Sequence, residues 1–310
     1  MITTSIRTTR RGFLARAVTL GAAGAAIPGI LSSGGFEAVA ASGLGPWQIG
    51  IYTRPFGQYE YPVALDAIAE AGYKCLGLMT IKSRDSLVVS MNSSEEEARQ
   101  VGQEAKNRGL RIISVYGGGF PVHKDSLEPG IKGLKKLIDN VAACGCGSLL
   151  LGGTGGEDQQ EPYYKTIQAC CDDAAEKKVA ITLKPHGPLN ATGPECRKYC
   201  QMVNRKNFGV WYDPGNVCYY SDGELRPAED AGAVDGLVRG MSVKDYRYPK
   251  RVDVTPGTGQ VDFPAVMARL AQGGFRSGPL VIECLSPGDL KALIHEAKTA
   301  RRFVEQLVQA

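Results

Sequence analysis

Short apolar segments alternate with stretches of helical periodicity from residue 47 to the end of the chain. WQIGIYT (47–53), CLGLMT (75–80), RIISVYG (111–117), SLLLGG (148–153), VAITLKP (179–185), FGVWYDP (208–214), VRGMSVKD (238–245) and PLVIEC (279–284) are rich in β-branched and bulky apolar residues and read as strands. Between them, apolar positions recur at helical spacing. Helices are predicted over Pro62–Gly72, Ser93–Gly109, Leu127–Cys144, Pro162–Lys178, Pro194–Asn204, Phe263–Gln272 and Asp289–Val308. Ser94 ahead of a Glu-rich first turn marks one start, and Gly72, Gly109 and Gly273 mark ends as left-handed caps. In the segment after Asp213, Tyr219-Tyr220-Ser221-Asp222-Gly223 reads as a turn ahead of a short acidic stretch. Eight strands alternating with helices, with no linker between them, predict an α/β fold of the (β/α)8 barrel type. A doubly wound open sheet is disfavoured because no Gly-x-Gly-x-x-Gly follows the first strand. The loop glycines at 117–119 and 152–156 read as plain turns, since neither stretch is followed by the Lys-Ser/Thr pair of a phosphate loop.

Chemistry gathers at the later strand ends. LKPHG carries Lys184 and His186, YDPGN carries Asp213 and Asn216, MSVKDY carries Ser242 and Lys244, and VIEC carries Glu283. In a parallel barrel these tips share one mouth. Lys184 and His186 are two apart, so strand alternation predicts that both point into it. Alternation also turns Trp211 inward one layer deeper, as core packing. Arg54 and Tyr116 lie at the ends of strands one and three, while His123 reads as a solvated loop residue and His295 as a structural helix residue.

The first forty residues change the picture of charge and compartment. Thr9-Arg10-Arg11-Gly12-Phe13-Leu14 is a twin-arginine pattern, a small-residue stretch runs from Ala17 to Leu31, and Ala38-Val39-Ala40 gives a cleavage signal. Residues 1–40 are therefore expected to be a signal peptide that engages the Tat translocase, with residues 41–310 as a periplasmic barrel. Losing four arginines and Glu37 takes the count from 36 basic and 32 acidic residues to 32 and 31, so the basicity of the whole chain says nothing of nucleic acid. No apolar run in the mature chain reaches the ~20 residues of a membrane span. The nine scattered cysteines include no C-x-x-C and read mostly as small core residues.

The LKPHG, YDPGN and VKD strand ends, with the tail GTGQVDFPAVMARLAQGGFRSGPLVIEC, resemble the xylose isomerase-like TIM barrels, the sugar phosphate isomerase/epimerase family. The resemblance spans roughly residues 180 to 284. It implies a small carbohydrate substrate and a site that, in metal-dependent members, holds a divalent ion (Mn, Mg, Zn or Fe) with a Glu, an Asp, a His and a Glu on strands five to eight. Carried onto this chain, the Asp is Asp213 and the last Glu is Glu283. Lys184 stands where the first Glu would be, and Ser242 where the His would be.

Three outcomes stay open at this stage. His186, Asp213 and Glu283 could ligate a metal as a facial triad. Lys184 could take over the metal's charge in a metal-free site. The pocket could bind sugar without turnover. The expected activity is proton abstraction next to a carbonyl (isomerisation, epimerisation or elimination), with Glu283 as base and Lys184 as the cationic partner. His186, Asn216 and Lys244 are the expected substrate contacts. A non-catalytic periplasmic sugar-binding barrel is the alternative. An endonuclease-like metal cluster is disfavoured by a total of three histidines.

Overall fold

The computed structural model describes residues 46–82 and 87–309; the twin-arginine segment and its boundary at Ala40 lie outside the described residues. Eight parallel strands close into a barrel in sequence order: β1 (Trp47–Tyr52), β2 (Cys75–Leu78), β3 (Arg111–Tyr116), β4 (Ser148–Leu151), β5 (Ala180–Leu183), β6 (Phe208–Tyr212), β7 (Val238–Val243) and β8 (Gly278–Ile282). β1 pairs with both β2 and β8, which shuts the sheet and leaves it without an edge.

The helices follow the periodicity closely. Phe263–Gln272 has the predicted bounds, and Glu95–Asn107 opens with a reciprocal Ser94–Glu97 capping box. Gly72 and Gly109 take positive φ as expected of caps, but Gly273 does not; its neighbour Gly274 does, at φ +98°. The turn predicted at 219–223 is present at 221–223, with Asp222 and Gly223 at positive φ, and an unpredicted helix, Pro214–Tyr220, runs ahead of it. Pro214 sits at its first position, where no N–H is needed, and Asp213 caps it by accepting from the Asn216 backbone N–H at 2.9 Å.

One apolar layer lies between the sheet and its helices. A second fills the barrel, built from Tyr52, Cys75, Met79, Ile113, Leu150, Trp211 and Val281. Two strand glycines make room for its largest rings: a Cβ at Gly77 would overlap the Tyr52 ring, and one at Gly240 the Trp211 ring. This plug seals the barrel beneath the strand tips and gives the mouth a dry floor. All nine cysteines are buried thiols. Among the described residues no helix is long and apolar enough to cross a membrane.

Candidate active site

The tips of β5 to β8 deliver four charged side chains to one point. Lys184 follows β5, Asp213 follows β6, Lys244 follows β7 and Glu283 follows β8, and all are at most 3% exposed. Lys184 Nζ donates to both Glu283 oxygens, at 2.9 and 2.8 Å, and lies 2.9 Å from Asp213 Oδ2. Lys244 Nζ lies 2.6 Å from Glu283 Oε1 and 3.1 Å from Asp213 Oδ2, and donates to Asn216 Oδ1 at 3.0 Å. Each lysine therefore bridges both carboxylates. Two positive and two negative charges cancel in a closed square.

Further contacts fix the square in place. Ser242 Oγ donates to Glu283 Oε2 at 2.7 Å and accepts from Trp211 Nε1 at 3.1 Å, which ties the charged floor to the apolar plug. The Asn216 amide donates to the Pro185 carbonyl at 2.7 Å while its oxygen receives Lys244, so both ends are engaged by the protein. Asp213 Oδ2 has no well-aligned hydrogen bond despite two ammonium groups close by, and is held by charge. Burial alone would raise the Glu283 carboxyl, but Lys184, Lys244 and Arg54 outweigh it and hold the group well below the usual carboxylate range. Burial alone would lower Lys244, but Asp213 and Glu283 raise it above the ordinary lysine range.

His186 lines the cavity beside Lys184, as expected, but strand alternation does not put it there. β5 stops at Leu183, so alternation does not carry through Lys184-Pro185 to His186. His186 lies instead in a short turn bridged to Asn190; its Nδ1 is 3.3 Å from the Gly187 carbonyl and its Nε2 3.3 Å from the Tyr220 hydroxyl. Burial, then Lys184 and Lys244, lower its basicity. His186, Asp213 and Glu283 do not assemble as a ligand set: among the described residues, no cluster of three or more His, Cys, Asp or Glu side chains is placed to hold a metal ion. The donor chemistry points the same way. A divalent ion between Asp213 and Glu283 would have to displace two ammonium groups, each about 3 Å from both carboxylates, and would be repelled by them. The residues at this site do not fit a divalent metal.

Above the square opens a cavity of about 650 Å³. Tyr116, Tyr219 and Tyr220 give it apolar faces, and Arg54 reaches down its wall to within 3.7 Å of Glu283 Oε1, touching Cys284 Sγ on the way. Burial and the Glu283 charge raise the Tyr116 phenol, which therefore keeps its proton. The loop after β7 also lines the cavity, through Lys250, Arg251 and Asp253.

That loop is organised by Asp245. Instead of pairing with Lys244, this buried carboxylate accepts four backbone N–H groups: Tyr246 and Val261 on Oδ1 at 2.8 and 3.1 Å, Gly257 and Gly259 on Oδ2 at 2.9 and 2.8 Å. Sequence reasoning missed this role, and Lys250 and Arg251 with it. The run of Gly and Thr from 255 to 259 was the available signal of a loop folded around a buried acceptor.

Residues 65–307 match the xylose isomerase-like TIM barrel family. The chain belongs to that family. Solved structures of the same fold include a xylose isomerase domain protein from Planctomyces limnophilus, with 21% identity, a TM-score of 0.65, and 84% of this chain and 97% of that one covered. D-psicose 3-epimerase from Clostridium cellulolyticum H10, solved with D-tagatose, has 14% identity and a TM-score of 0.65, with 84% and 99% covered. D-allulose 3-epimerase from Methylomonas sp., solved with D-allulose, has 18% identity and a TM-score of 0.64, with 84% and 97% covered. At these identities the likeness is one of fold. No curated protein sequence matches the chain. Within the family, this barrel carries Lys184 and Ser242 at strand ends where the resemblance implied a Glu and a His.

Proposed function

We propose that the barrel mouth is a carbohydrate isomerase or epimerase site in which two lysines supply the positive charge. The observation that carries this reading is the buried Lys184–Asp213–Lys244–Glu283 square under an open, tyrosine-lined cavity. Removing a proton next to a carbonyl leaves negative charge on the carbonyl oxygen. A pair of ammonium groups fixed in a dry floor stabilises that charge without reorganising. The two contacts from Lys184 to Glu283 can share one N–H, which leaves another for the substrate oxygen. As the oxyanion develops it draws the lysine protons from Glu283, and the carboxylate becomes more basic as the carbon proton arrives. For isomerisation Glu283 then returns the proton to the neighbouring carbon while a hydroxyl proton passes between the two oxygens; for epimerisation the same carbon takes its proton from a donor on the opposite face. Tyr219 and Tyr220 offer faces to the sugar body.

Deuterium from D2O should enter ketohexose or aldohexose substrates at the carbon next to the carbonyl, at equal rates with and without a chelator; mass spectrometry of the recovered sugar reads it. No incorporation into any sugar tested would sink the isomerase reading. A second reading, a sugar-binding barrel without turnover, is favoured by one feature: every charge of the square already has opposite partners within 3.1 Å. Saturable binding without exchange is its signature.

Export through the Tat pathway to the periplasm belongs to the same reading and rests on Arg10 and Arg11. Changing both to Lys keeps the charge and removes the guanidinium pair, and should leave the precursor in the cytoplasm. Cell fractionation checks this, and normal export of the double variant would remove the assignment.

A further inference from the structure

The cavity has two electrostatic levels, and only the lower one is balanced. At the floor two lysines cancel two carboxylates. At the rim Arg54, Lys250 and Arg251 line the cavity with Asp253. Just outside the lining Lys250 also meets Asp222, and Arg54 also faces Glu283 of the floor, which leaves three cations to two rim carboxylates. We infer that the substrate is a carbohydrate carrying an anionic group, a carboxylate or a phosphate, which Arg54, Lys250 and Arg251 hold at the rim while the uncharged end reaches the lysine floor. The inference rests on the carbohydrate reading above and narrows it.

The rim cations are weakly engaged. Arg54, one-third exposed, divides its charge between Asp253 Oδ1 and Glu283 Oε1, each 3.7 Å away and beyond hydrogen-bond distance. Lys250 Nζ is 3.1 Å from Asp222 Oδ1, with both side chains more than half exposed. Pairs this wet contribute little, so a ligand anion can replace them at small cost. Arg251 has no carboxylate within 4.0 Å among the described residues. Arginine and lysine offer donors and no acceptors. A neutral sugar needs acceptors for its own hydroxyl protons, and here Asp253 is the one rim carboxylate that lines the cavity. An anion accepts from all three cations.

The rim is also built in advance. Asp245 gathers the loop's backbone, and Arg247 and Arg251 exchange two backbone hydrogen bonds at 2.8 and 3.0 Å. Lys250 is held in the left-handed region at φ +45°, with its N–H donating to the Tyr246 hydroxyl at 3.3 Å. Its ammonium lies 5.7 Å from the centre of the Tyr219 ring. A sugar resting on that tyrosine would bring its terminal anion under Lys250 and Arg251.

Calorimetric titration of the mature protein tests the assignment. The probes are a hexuronate, a hexose phosphate, the parent neutral hexose and inorganic phosphate. The acid or the phosphate ester should bind at least about tenfold more tightly than the neutral sugar, as charge-assisted bonds do, and whichever binds tighter names the anion. The advantage should shrink as salt rises from about 50 to about 500 mM. Changing Lys250→Gln and Arg251→Gln together alters two exposed side chains and keeps the fold. This variant should lose about tenfold or more for the charged sugar and nothing for the neutral one. Equal binding of charged and neutral sugars, or undiminished binding of the charged sugar by the double variant, overturns the inference. If no sugar binds but inorganic phosphate binds the wild type and not the variant, the anion rim stands and the carbohydrate reading falls. If phosphate binds neither, both fall.

Discussion

Glu283→Gln should lose turnover and, unlike a typical near-isosteric change, a large part of the protein's stability. Removing a base costs about 10²–10⁴ in rate. The structural cost follows from the square, because Gln leaves two buried ammonium groups facing Asp213 alone. Breaking one partner of a buried ion pair destabilises by about 3–5 kcal/mol. For a domain of this size that corresponds to a melting-temperature drop of roughly 10 °C. Restoring the charge balance should recover much of it: Lys184→Met with Glu283→Gln is expected to be more stable than the two single effects added together predict, by about 1–3 kcal/mol. Thermal melts of the four proteins check the cycle, and strict additivity would show that the lysines and carboxylates are not coupled. The pH dependence has a definite sign. The folded-state pKa of Glu283 is depressed, so its contribution is complete above the unfolded value of about 4.3 and is lost as pH falls through the folded value. The folded-state pKa of Lys244 is raised, so its contribution is complete below about 10.4 and is lost as pH rises through the folded value. Glu283→Gln should flatten the acid limb and, because Glu283 is one of the two carboxylates that raise Lys244, shrink the alkaline one as well.

Lys184→Glu should convert the site from one that repels divalent ions to one that requires them. Three carboxylates would then meet Lys244, and the folded protein should be markedly less stable without metal. Mn²⁺ or Mg²⁺ should restore it, because an ion bound only by the folded state adds about 2.7 kcal/mol at a hundredfold excess over Kd, a rise of roughly 5–10 °C in melting temperature. The wild type should show no such shift with added metal and no loss of stability with a chelator. A metal-dependent melt in the wild type would overturn the misfit derived from Lys184 and Lys244.

Where the chemistry sits on strand tips, the sequence was sufficient. Lys184, Asp213, Lys244 and Glu283 each follow an apolar run by one residue, and a parallel barrel brings such positions together whatever their distance along the chain. His186 reaches the mouth as expected, but from a turn and not from the strand, because β5 ends three residues before it, and there it meets Tyr220 instead of joining Asp213 and Glu283. Lys244 was placed at the mouth without its pairing to Asp213 and Glu283, and Ser242 was recognised only as a missing ligand. Their partners, Glu283 and Trp211, come from other strands, and pairing across strands depends on register that a single strand does not encode. The helix at Pro214–Tyr220 was not predicted because Asp-Pro-Gly suits a turn as well as a helix start, and the choice is made by Asp213 capping the helix. Asp245 was least legible, since its partners are amide groups, which every residue but proline carries.

The same anonymity has an evolutionary consequence. The carboxylate of Asp245 recognises main chain at 246, 257, 259 and 261, so the side chains at 247 to 253 are under no obligation to it. Mutation can rewrite the charge and shape of that segment while its attachment points persist. The barrel thus separates a buried, mutually paired floor from an interchangeable cassette, and a descendant could change what the cavity admits without relearning how to fold.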